Sequence, residues 1–137
     1  MPRERLYEYL MDKLHETRLE GKLADFAKEL EATKDKLKHR IATTSNHEER
    51  ALLKEQLTAV NHTLSKAHQI LILKIFKEHG MPIPEGRRIM HISDLYDKLE
   101  EADIPTWLVD AMIETGDLKK EREGWISTTQ TFLEETL

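Results

Sequence analysis

Ile70-Leu71-Ile72-Leu73-Lys74-Ile75-Phe76 carries one charged residue in seven and has no polar face. Read as a helix it is apolar almost all round, so several elements must pack on it at once. Read as a strand it would be short and fully buried. The helical pattern that continues to His79, and the stop signal at Gly80, favour the helix.

Upstream of this segment, Leu53, Leu57, Val60, Leu64, Ala67 and Leu71 follow a 4-3-4-3-4 rhythm, a heptad seam on one long helix. Ser45 and Glu48 have the spacing of a capping box, which places the helix start there. An earlier stripe runs through Leu23, Phe26, Leu30, Thr33, Leu37 and Ile41, and another through Leu6, Leu10 and Leu14 with Tyr7 and Met11 beside them. Gly21 marks a kink or a short break between these two stripes, near Glu20–Lys22. The turn Ala42–Asn46 is short and polar, so the two long seams are expected to fold as an antiparallel helical hairpin over 1–79.

Downstream the texture changes. Met81-Pro82-Ile83-Pro84-Glu85-Gly86 reads as a connector, and Arg88–His91 as a short strand. Ser93 is positioned to cap a helix through about Glu101. Asp103 is positioned to cap a second over 105–115, with Pro105 in its first turn and Gly116 at its end. Leu118–Glu121 and Trp125–Thr128 flank a turn at Arg122–Gly124 and read as a β-hairpin. A short terminal helix is expected from Thr128 or Thr129. The fold class expected is mainly α: a long helical hairpin over 1–79, its last helix shared with a small α+β unit over 80–137.

Charge is divided unequally. The whole chain of 137 residues has a net charge of -5. Residues 80–137 hold six Lys+Arg against thirteen Asp+Glu, giving -7, and residues 1–79 hold fifteen against thirteen, giving +2. The absence of Cys excludes disulfides, thiolate metal sites and Cys nucleophiles. No apolar run approaches the ~20 residues of a membrane span, and no apolar segment follows the N-terminal Met1–Arg5, so a cytoplasmic protein without a membrane anchor is expected.

The order helix, short strand, helix, turn, helix, two-stranded wing over about 65–128 resembles a winged helix-turn-helix domain. Its most specific part is Ile92–Leu99 followed by Ile104–Leu118, with Leu95, Leu99, Ile104, Leu108 and Met112 as the implied core. The resemblance implies that the helix at 105–115 is a recognition helix for a major groove. That helix contains no Lys or Arg; its polar stripe is Thr106, Asp110 and Glu114. Phosphate contact normally requires several cations. Only Arg87, Arg88, Lys119, Lys120 and Arg122, on the strand and wing, are available as nucleic-acid contacts. Trp107, Val109 and Ile113 cannot all share the face of Leu108, Ala111 and Met112, so either the β-hairpin or a partner covers the second set. The expected partner-binding residues are therefore Thr106, Trp107, Asp110, Ile113 and Glu114.

Catalytic and cofactor patterns are sparse. There is no Gly-x-Gly, no Gly-flanked Ser, and no His pair three or four apart, so no cofactor or metal site is expected. Arg40 and His47 bracket six residues, a spacing that resembles the catalytic pair of HEPN-type helical ribonucleases; a chain with this many Arg and His produces about one such match by chance. Acid pairs such as Asp97/Glu101 read as solvated faces. Lys34, Lys36, Lys38, His39 and Arg40 form the densest positive patch. It reads as a solvated flank, a contact for nucleic acid or an acidic partner, or a contact for the acidic half of a second copy.

The function expected is thus a non-enzymatic protein-interaction or assembly factor with a protein partner and self-association as a homodimer. The alternative is a DNA-binding regulator of the winged-helix type, with a HEPN-like ribonuclease a distant third.

Overall fold

The structure, a computed structural model, describes residues 3–129, with side chains from Arg5 onward. Among the described residues it is mainly helical, with five α-helices and one four-stranded antiparallel sheet. No helix among them is long and apolar enough to cross a membrane. The chain divides into two compact units, Met1–His68 and Gln69–Leu137, and the division falls inside one helix.

The N-terminal unit holds α1 (Arg3–Leu19), α2 (Leu23–Thr43) and the first part of α3 (His47–His79). Gly21 makes a true break. It adopts φ 74°, its amide donates to the Arg18 carbonyl, and the Lys22 amide donates to the Thr17 carbonyl. This is a Schellman ending, which needs a left-handed residue after the cap and so favours glycine. Leu10 and Leu14 of α1, Leu23, Phe26, Leu30 and Leu37 of α2, and Leu53, Val60, Leu64 and Ala67 of α3 are buried. Thr33, which shares the α2 spacing, is exposed and turns its hydroxyl back to the Glu29 carbonyl at 2.9 Å. Contacts between the helices include Lys13–Glu29 at 3.6 Å, Lys13 over the Phe26 ring at 5.5 Å, and an edge-on Tyr7–His62 pair at 6.2 Å.

The corner between α2 and α3 corrects the expected cap. Asn46, not Ser45, starts α3: its Oδ1 accepts from the Glu48 and Glu49 amides at 2.9 and 3.1 Å. An Asn side chain caps as well as Ser does, and Asn46 stands directly before the first helical residue. Glu49 is thereby placed to accept from Arg40 at 3.3 Å and Thr44 at 3.2 Å, while Arg50 donates to the Thr44 carbonyl at 2.6 Å.

The C-terminal unit takes Gln69–His79 of α3, then β1 (Met81–Ile83), a 3-10 turn (Pro84–Gly86), β2 (Arg87–His91), α4 (Ile92–Glu101), α5 (Trp107–Glu114), β3 (Leu118–Arg122) and β4 (Trp125–Thr128). The sheet order is β1-β2-β4-β3, with Met81 opposite Ile89, Met90 opposite Ile126 and Lys120 opposite Ile126. The expected connector at Met81–Gly86 is therefore an edge strand and a hairpin turn. Pro82 lies in an edge strand, a position that tolerates a missing donor. Gly80 is fixed by space: an added Cβ would come within 2.5 Å of the Phe76 carbonyl oxygen.

Ile72, Leu73 and Phe76 of α3 are fully buried in one cluster with Met90, Leu95, Leu99, Ile104, Leu108, Val109, Met112, Leu118 and Ile126. All five residues expected as the core of this unit are in it. The caps differ from expectation. His91, not Ser93, caps α4, its Nδ1 accepting from the Ser93 amide at 3.2 Å. Asp103 ends α4 instead of starting α5: it adopts φ 55°, donates to the Glu100 carbonyl, and the Ile104 amide reaches the Leu99 carbonyl at 2.9 Å. Asp is among the few non-glycine residues that visit this left-handed region. Gly116 ends α5 by the same hydrogen-bond pattern. Thr128 closes β4, Thr129 lies outside any element, and the rest of the expected terminal helix lies outside the described residues.

His68 supplies a pH test of the N-terminal unit. Burial, helped by the positive charge of Lys34, lowers its pKa from 6.5 to about 4. The folded state thus keeps His68 neutral where the unfolded chain protonates it. Its stabilising contribution is complete above pH 6.5 and is lost progressively as pH falls toward 4. Allowing for solvent screening, the loss is on the order of 2 kcal/mol. Urea unfolding at pH 7 and pH 4.5 should show His68→Gln losing less stability on acidification than the wild type; parallel losses would contradict the assignment.

Candidate functional site

α5 presents two faces. Leu108, Val109 and Met112 are buried and Ile113, half-buried, packs against the same core, so all four turn toward it. Val109 therefore belongs to the core set and not to a second apolar face. Trp107 alone is left out, at 63% exposure, and Asp110 and Glu114 follow it at helical spacing, both exposed. Thr106 and Ile113 are half-buried at the margins of this face. The structure thus brings Trp107, Asp110 and Glu114 together on one solvent face. Asp110 also acts on Tyr96 of α4, whose phenol is pushed above its usual range by burial first and by that carboxylate second.

A second feature, not foreseen from the sequence, lies between α4 and the sheet. A cavity of about 420 Å³ is lined by His79, Met81, Ile89, Met90, His91, Asp94, Asp97, Lys98, Glu101 and Trp125. Asp94, Asp97 and Glu101 recur at intervals of three and four, so α4 lines them up on the edge of this cavity. The only trace in the sequence is that spacing, which reads equally well as a solvated face. What makes it a groove is the edge strand β1, which brings Met81 opposite Ile89, and β4, which brings Trp125 opposite His91. His91 meets the Trp125 ring edge-on at 5.2 Å, and both line the groove. Gly124 is required beside it, with φ 80° and an added Cβ only 2.9 Å from His91 Nε2. No group of three His, Cys, Asp or Glu among the described residues is placed to hold a metal ion.

The basic residues are not equally available. Arg87 is committed inside the sheet: it donates to the Thr128 carbonyl at 2.9 Å, to Ser127 Oγ at 2.8 Å, and to Glu121. Hydrogen bonds from Ser127 and Arg87 hold the Glu121 carboxyl below the usual carboxylate range. Arg88 reaches the Gly80 carbonyl at 3.4 Å. Arg122 lies over the Trp125 ring at 5.4 Å, and Lys119 is 4.0 Å from Glu121. Lys120 is exposed. Of the five candidate nucleic-acid contacts, Lys119, Lys120 and Arg122 are exposed, and Arg87 and Arg88 are half-buried. Arg40 is paired with Glu49, and both Arg40 and His47 are exposed, with no enclosed site around them. Replacing Arg87 with Ala should cost about 2 kcal/mol, because the buried Thr128 loses a partner for its carbonyl. Lys120→Ala should change stability by less than about 0.5 kcal/mol. Equal urea midpoints for the two variants would contradict the structural role given to Arg87.

No protein-family model, curated protein or solved structure matches this chain.

Proposed function

We propose that the protein is a non-enzymatic interaction or assembly factor, with α2 and α3 forming an antiparallel helical hairpin and 65–128 acting as a winged-helix-like unit that contacts protein through α5. The hairpin is supported by the ties at its corner, where Glu49 and Arg50 at the start of α3 bind Arg40 and Thr44 at the end of α2. The winged-helix reading is supported by the order α3, β2, α4, α5, β3, β4 and by β2 pairing with β4 and β4 with β3.

One observation carries the choice of protein over nucleic acid. Trp107 is 63% exposed on a helix whose other solvent-facing residues include Asp110 and Glu114 and which has no Lys or Arg. An exposed Trp is a common anchor at protein interfaces, and two carboxylates beside it repel phosphate. The DNA-regulator alternative rests on Lys119, Lys120 and Arg122, all exposed on β3.

Full-length tagged protein, treated with nuclease, should retain a co-purifying protein that Trp107→Ala with Asp110→Lys releases and Lys119→Glu with Arg122→Glu does not. Duplex DNA should bind no tighter than about 10⁻⁶ M at physiological salt. A nanomolar, sequence-selective gel shift that the Lys119→Glu, Arg122→Glu variant abolishes would replace the proposal with the DNA-binding alternative.

A further inference from the structure

We draw no further inference here: the strongest candidate, the groove between α4 and the sheet with Met81, Ile89 and Trp125 in its lining and the exposed carboxylates of Asp94 and Asp97 along its edge, is an acidic cluster beside an apolar wall, and nothing in the structure shows what covers it.

Discussion

The C-terminal unit depends on the burial of Ile72, Leu73 and Phe76, three side chains of a helix that begins in the other unit. Each is at most 1% exposed, and each packs in the cluster that also holds the inward faces of α4, α5 and the sheet. Fully burying a side chain of this size contributes roughly 1.5–3 kcal/mol. Three of them together are comparable with the whole stability of a small domain, about 5–15 kcal/mol. α4 and α5 are short, ten and eight residues, and such helices do not persist in water without tertiary packing. Every feature considered for function, the α5 face, the groove and the β3–β4 hairpin, rests on elements held by this cluster.

Much of this was legible in the sequence because it is periodic. The all-round apolar run 70–76 announced a buried helix, and the core positions Leu95, Leu99, Ile104, Leu108 and Met112 followed from spacing alone. Local punctuation was harder. Asp103 has the composition of an N-cap, yet it serves as the left-handed residue that ends α4, because the Ile104 amide finds its partner at Leu99. Ser45 and Ser93 have the chemistry of caps but lose to Asn46 and His91, which stand one and two residues away. Propensity identifies which residues can cap; the competition among neighbours is settled by where packing places the first turn.

The groove was illegible for a different reason. Its carboxylates lie on one helix and carry a readable spacing, but its other side comes from β1, β2 and β4, and β4 reaches β2 only by pairing across more than thirty residues. Pro82 and Pro84 made β1 look like a connector. Among the candidate phosphate contacts the same non-local pairing decides availability: β2 and β4 place Arg87 against Ser127 and Thr128, so a residue that reads as a surface cation is a structural clamp. The expected division of α5 into two apolar faces reduced to a single exposed Trp107 for a similar reason, since Val109 reaches the core that α3 and the sheet create.

The dependence on α3 can be measured directly by comparing fragments 65–137 and 81–137 in thermal unfolding. The longer fragment keeps Ile72, Leu73 and Phe76; the shorter keeps every strand, α4 and α5 but loses these three. Dependence on the end of α3 predicts a cooperative transition for 65–137 and none for 81–137. A cooperative melt of 81–137 would contradict it, showing that the sheet, α4 and α5 bury enough of each other to fold without the end of α3.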